Sequence, residues 1–189
     1  MKKLFIVICA ILFTVVVRAQ DHMSFKGVSM KCTLTSFVSQ LEAQGYETLL
    51  KQENGAVLSG TFAGKTNCKI FVLCTSNSKV VWKVAVKFPE KVSWFSLKSE
   101  YNTFKETYTS KYGKPESYEF FSSPYYEGDG YELQALKLEK CTYTSIFSSP
   151  QGKICLEITD DKCVQVGYED AVNVDIKRIE QKSVVSNDI

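Results

Sequence analysis

Histidine occurs once in the 189 residues, at position 22, and proline only four times. A single imidazole excludes chemistry that needs two. No CxxC pair exists and His22 is remote in sequence from every cysteine, so neither a zinc site nor any other metal site is expected. His22 also falls in the expected frayed start of the chain, away from any thiol it could activate, and no nucleophile motif is present. The sequence therefore nominates no catalytic residue and no cofactor. Charge of one sign is missing too: 23 Lys+Arg stand against 21 Asp+Glu. Without residues 1–19 the chain loses Lys2, Lys3 and Arg18 and carries a net charge of −1. That balance leaves no electrostatic footprint for nucleic acid or an anionic membrane. With 44% hydrophobic residues and few Gly and Pro, the chain is neither disordered nor collagen-like, and its length suits one domain over residues 20–189.

What is present begins with an export signal. Lys2 and Lys3 precede an apolar run over residues 4–17, and Val17-Arg18-Ala19 supplies a small-residue cleavage site. The run is shorter than the roughly 20 residues of a membrane span. Residues 1–19 are read as a cleaved signal peptide, with Gln20 the first mature residue and a periplasmic or secreted destination. Cys9 follows Ile8 rather than a small residue, which argues against a lipid anchor there. Six cysteines remain: Cys32, Cys68, Cys74, Cys141, Cys155 and Cys163. An even number in an oxidising compartment makes them disulfide candidates.

Three helices are legible. Leu34, Phe37, Val38 and Leu41 make an apolar stripe between Thr33 and Gly45. Trp94, Leu97, Tyr101, Phe104 and Tyr108 make a second, between Ser93 and Gly113. Val172, Ile176 and Ile179 make a narrower one after Asp170, with a tail from Ser183 to Ile189 that is expected to fray. Elsewhere the period is two. Val80, Trp82, Val84, Val86 and Phe88 alternate with lysines, and the sets Ile154, Leu156, Ile158 and Val164, Val166, Tyr168 do likewise. Further strands are predicted over 56–62, 68–75, 131–140 and 142–148. Short connections make neighbours antiparallel. The expected class is α+β: an antiparallel sheet of about seven to eight strands in meanders, with two long amphipathic helices and a C-terminal helix packed on one face. Each long helix is followed by a meander, an echo too thin at residue level to count as a repeat.

Parity constrains the cysteines. Opposed residues of an antiparallel pair share a side, and the inward residues Ile154, Leu156, Ile158 and Val164, Val166, Tyr168 are all even-numbered, so opposed numbers in this hairpin sum to an even value. A turn at Asp160-Asp161-Lys162 opposes Thr159 to Cys163, Ile158 to Val164 and Cys155 to Gly167. Cys155 and Cys163 then stand four residues apart along the strand, at about 3.4 Å per residue, beyond bridging distance. Placing Phe71 and Leu73 inward puts Cys68 and Cys74 on the outer face, where disulfides would be cross-strand or reach Cys32 or Cys141.

Three polar motifs invite chemistry. Residues 59–66 nearly match a phosphate-binding loop, but Ser59 replaces the first glycine and a strand follows instead of a helix, so a hairpin turn is the better reading. Glu127-Gly128-Asp129-Gly130 lacks the ligand count of a calcium loop. Asp160-Asp161 suits a hairpin tip. The unusual feature is aromatic. Tyr118, Phe120, Phe121, Tyr125, Tyr126 and Tyr131 crowd around Pro124 and Gly128. Exposed tyrosines in a loop supply rigid amphipathic contact area, and their rings stack on sugars. Tyr118, Phe121, Tyr125, Tyr126 and Tyr131 are the candidate binding residues, with core filling as the alternative.

Several stretches mark a resemblance: the start at Gln20 after Ala19, Phe25-Lys26-Gly27-Val28, Gln44-Gly45-Tyr46, Lys111-Tyr112-Gly113-Lys114-Pro115 and Tyr168-Glu169-Asp170. Together they resemble small exported proteins of unknown function from Bacteroides-type bacteria, a resemblance that implies no activity. The layout is also loosely similar to secreted β-lactamase-inhibitor-type modules, by fold analogy alone. The expected function is a non-catalytic binding or inhibitor-like module acting on a protein in the cell envelope or outside the cell. A carbohydrate-binding module using exposed tyrosines, or a small carboxylate-dependent hydrolase, is the alternative. Neither nucleic acid nor, after cleavage, membrane is an expected partner. Mass spectrometry of exported material should find Gln20 at the N-terminus; a chain starting at Met1 would refute the cleaved signal.

Overall fold

Ser93 caps the longer of the two predicted core helices through its side chain, which accepts from the Ser96 N–H at 3.2 Å. In the computed structural model, which describes residues 21–187, that helix is α2 (Trp94–Tyr112), and its shorter counterpart is α1 (Leu34–Glu42). The stripes read from spacing are the buried ones: Leu34, Phe37, Val38 and Leu41 in α1, and Leu97, Tyr101, Phe104 and Tyr108 in α2. The signal peptide and Cys9 lie outside the described residues. Of these two only α2 is long; α1 has nine residues, because the turn at Gly45 (φ 89°) ends it.

A small hairpin of β1 (Ser24–Phe25) and β2 (Val28–Ser29) opens the chain. After α1 come β3 (Glu47–Gln52), β4 (Gly55–Phe62), β5 (Lys65–Cys74) and β6 (Val81–Lys87). After α2 come β7 (Glu116–Phe121), the short helix α3 (Glu132–Lys137), β8 (Cys141–Ser149), β9 (Gly152–Ile158) and β10 (Val164–Asp170). The chain ends in α4 (Ala171–Asn187), which runs on through the segment expected to fray. β3 to β10 form one antiparallel sheet in the order β3-β4-β5-β6-β10-β9-β8-β7. Each half is a helix followed by four meandering strands, and exchanging the halves leaves the strand order unchanged. The faint echo in the sequence is thus an architectural repeat whose halves meet where β6 pairs β10.

The C-terminal hairpin has the register that parity predicts: Val164 opposes Ile158, Gly167 opposes Cys155, and the Thr159 N–H donates to the Cys163 carbonyl. Even-numbered residues of β4, β5, β9 and β10 point inward beneath α1 and α2, joined by odd-numbered residues of β8 and by Val84 and Val86 of β6. A register shift opposite Cys74 turns Val81 inward in place of the expected Trp82, which is half-buried against Lys177. The inner layer also buries Phe25, which stacks on Phe62 at 5.4 Å. The phosphate-loop look-alike is the two-residue turn between β4 and β5, with Ala63 and Gly64 both at positive φ.

Four expectations need correction. Residues 131–140 hold α3 rather than a strand, since Ala135 and Leu136 are buried with Leu133 one turn away, a helical spacing. Cys68 and Cys74 face inward with Ile70 and Val72, while Phe71 and Leu73 face out, because Ile70 pairs Val86 and so shares its side. Cys155 remains on the outer face, so the cysteines are divided between two sides of the sheet. All six described cysteines are free thiols, and no disulfide links them. Last, the stripe expected on α4 holds only in part: Val172 and Ile176 are half-buried but Ile179 is exposed, and polar contacts come from Asn173, Lys177 and Glu180 at i, i+4 and i+7.

Burial pushes the thiols up, that of Cys141 to about 12 and that of Cys155 to about 11, which suits packing and opposes reactivity. Non-reducing peptide mapping should recover the six as unlinked peptides. A Cys155–Cys163 peptide would contradict the hairpin register itself.

Candidate functional site

The outer face of the sheet is covered by neither α1 nor α2, and its register lays out three rows across the strands. The middle row runs Ile146, Cys155, Gly167, Ala85, Phe71, Val57, Leu50, from β8 to β3. Every member is apolar. Six strand spacings make it about 29 Å long. Ile146, Cys155, Phe71 and Val57 are half-buried, and Leu50 is exposed. At the centre, Gly167 and Ala85 leave a shallow floor across which the Lys83 stem passes, 3.5 Å from where a Gly167 Cβ would sit.

The flanking rows are polar. One runs Tyr118, Thr144, Glu157, Gln165, Lys87, Lys69, Ser59 and Glu47. The other runs Ser148, Lys153, Glu169 and Lys83 before reaching Leu73. Lys83 pairs with Glu169 at 2.9 Å, and Lys87 pairs with Asp161. Asp161, at the tip of the β9–β10 turn, also accepts from the Thr159 hydroxyl at 2.6 Å. Lys69 and Lys153 have no carboxylate partner among the described residues. Beyond the second row α4 crosses the end of the sheet. Its Lys177 ammonium lies 3.6 Å from the Trp82 ring centroid, and Glu180 accepts from the Asn77 and Ser78 N–H groups.

The aromatic segment does not converge on one site. Tyr118 lies on β7, exposed, with its hydroxyl donating to Glu116. Phe121 is half-buried and packs edge-on to Trp94 and Tyr143. Tyr125 packs against the core, and its hydroxyl accepts from Gln134 at 3.2 Å. Tyr126 and Tyr131 are exposed and spring from one turn, because the Asp129 carboxylate accepts from both their backbone N–H groups, at 3.0 and 2.7 Å. So the carboxylates of the Glu127-Gly128-Asp129-Gly130 turn hold in-chain donors. Glu127 accepts from Lys98, from Tyr143 at 3.3 Å and from the Trp94 indole at 3.5 Å, tying the loop to the start of α2. Beside it lies a cleft of about 520 Å³ lined by Trp94, Phe95, Lys98, Asn102, Glu106 and Glu127. Phe95 is 83% exposed at its rim.

His22 is not frayed. Its Nδ1 lies 3.1 Å from the fully buried carboxylate of Asp170, which also accepts from the Met23 N–H at 2.7 Å and, as the N-cap of α4, from the Asn173 N–H at 2.9 Å. A hydrogen bond to the Asp170 carboxylate places a proton on Nδ1. The ring lines a cavity of about 540 Å³ with Ser29, Lys31, Tyr112 and Ser149. Ser149 donates to the Gly152 carbonyl and Ser29 accepts from the Lys31 N–H, so both hydroxyls serve their own turns. The pair tethers the N-terminal hairpin to β10. Only the capping half of this arrangement had a sequence signal, in Asp170 standing before a helix.

The hydrogen bond from Lys98 holds the Glu127 carboxyl below its ordinary value of 4.5. A lowered carboxylate stabilises the loop fully above the ordinary range and loses that effect as pH falls through the lowered value. Glu127→Gln at neutral pH should therefore speed hydrogen exchange of amides 126–131 by about two- to fivefold, as suits a largely exposed pair. The unaltered chain should reach the same loosening only in acid. Exchange rates indifferent to both changes would mean that the Asp129 turn alone holds the loop.

Comparison of the chain with protein-family models, with curated proteins and with solved structures finds no match.

Proposed function

We propose that this chain is an exported, non-catalytic module that binds another protein through the outer face of its sheet. One observation carries the reading: seven strands contribute to an unbroken apolar row, and charged rows border it. Specific interfaces have that anatomy, an apolar centre within a polar rim, and a contiguous apolar strip at the surface marks interaction sites. The matching partner surface is an apolar ridge with acidic flanks placed to meet Lys69 and Lys153. The start of the sequence supports a destination in the envelope or outside the cell, and no described helix is long and apolar enough to cross a membrane.

A second reading rests on a different observation. The cleft beside Trp94 and Phe95 sets an exposed ring next to Asn102, Glu106 and Lys98, the mixture of stacking face and hydrogen-bonding groups that suits a sugar.

Replacing Val57 and Phe71 together by Thr puts a β-branched side chain with good strand propensity at both positions while breaking the apolar row. Affinity purification from envelope extract should recover one stoichiometric protein with the original chain, and its binding should weaken at least about tenfold with the double variant. The melting temperature should hardly move. Undiminished capture would refute the sheet face. Glycan binding lost on Phe95→Ala would favour the cleft, and turnover of a hydrolase substrate would overturn both readings.

A further inference from the structure

The sheet has two free edges, and they are not alike. β3 is protected as exposed edges commonly are: its register shifts between Thr48 and Leu50, and it carries Lys51. β7, with the sequence Glu-Ser-Tyr-Glu-Phe-Phe, pairs residue for residue with β8 and contains no bulge, lysine or proline. Tyr118 and Phe120 stand exposed on it at 45% and 50%.

The free hydrogen-bonding groups can be assigned. The Ser122 N–H donates to the Lys140 carbonyl at 2.7 Å, continuing the β7–β8 ladder. Hydrogen-bonding direction alternates along a strand, so Glu116, Tyr118 and Phe120 direct their backbone groups to β8. Ser117, Glu119 and Phe121 direct theirs away from the sheet.

We infer that β7 pairs antiparallel with β7 of a second copy of this chain, centred on Tyr118. This goes beyond the sheet-face reading and does not depend on it. A two-fold pairing must oppose residues on the same side, so the numbers of opposed residues sum to an even value. Centring on Glu119 sets one Glu119 carboxylate against the other, an unfavourable like-charge contact. Centring on Ser117 pushes Pro115, which has no N–H, into the pairing. Centring on Tyr118 opposes Tyr118 to Tyr118, Glu116 to Phe120 and Ser117 to Glu119, with no carboxylate facing another. The outward groups of Ser117 and Glu119 then bond each other twice over, and the two tyrosines form the close, non-hydrogen-bonded pair with Cα atoms about 4.5 Å apart. Glu119 keeps its own partners, Lys105 and the Tyr101 hydroxyl, on the inner side. Both outer faces end on the same side of one continuous sheet.

Sedimentation of the purified chain from micromolar to millimolar concentration should show a monomer–dimer equilibrium. Tyr118→Lys, which sets two ammonium groups against each other, should weaken it at least about tenfold. Because Tyr118 is exposed, the monomer's melting temperature should stay put. Mild oxidation should link Tyr118→Cys into a covalent dimer and leave Phe120→Cys, opposed to Glu116, unlinked. A chain that stays monomeric throughout overturns the inference, as does a dimer indifferent to Tyr118→Lys. Linkage of Phe120→Cys in place of Tyr118→Cys overturns the register.

Discussion

The antiparallel pairing of β6 with β10 is the constraint on which the rest of this molecule depends. Val86 opposite Val166 and Val84 opposite Tyr168 bring the inward faces of two helix-and-meander halves onto one side. Without that seam each half would be a four-stranded sheet with an apolar edge and half a core. With it, α1 and α2 lie over one inner face and share a single cluster from Phe37 to Phe147. The same parity sends Ala85 and Gly167 outward together, so the flattest point of the outer face lies at the seam. A slip of one residue would turn every inward side chain out. The seam therefore sets the core and the candidate binding face in one step.

Polar groups attach the remaining pieces. Asp170 ends β10, caps α4 and holds both His22 and the Met23 N–H, so one buried carboxylate joins the chain's start to its final helix. The Asn173 amide donates to the Met30 and Val81 carbonyls, both at 2.8 Å, where the N-terminal segment passes the end of β6. Within the inner layer, the Glu100 carboxylate of α2 is held by Lys91 at 2.9 Å and Lys65 at 3.3 Å. Stripping a buried charge of its partners costs about 3–5 kcal/mol. These contacts select one arrangement of pieces that apolar packing alone would hold less specifically.

Helix stripes and inner strands were legible because their burial is one-sided: a side chain facing a core repeats with the period of its backbone. The hairpin of β9 and β10 was legible to the residue, since Asp160-Asp161-Lys162 marks a turn and parity does the rest. β3 and β7 were not. Being edge strands, they are exposed almost along their length and carry no alternating signal. The stripe of α4 was legible only in part, since Val172 and Ile176 are half-buried while Ile179 is exposed, and the helix also docks through Asn173, Lys177 and Glu180, which spacing rules treat as solvent-facing. Of the aromatic candidates, Tyr118, Tyr126 and Tyr131 are exposed, whereas Phe121 and Tyr125 are drawn against the core by Trp94, Tyr143 and Gln134.

By itself, then, the sequence determined the α+β class, the antiparallel meanders, the core stripes of α1 and α2 and the absence of a two-histidine site, because each follows from composition or from local periodicity. Only the tertiary structure decided that Phe71 faces out while Cys68 and Cys74 face in, that His22 meets Asp170 across 148 positions, and that seven strands line up one apolar row. Those outcomes turn on strand register and on which halves meet, and no local window of the chain contains both partners.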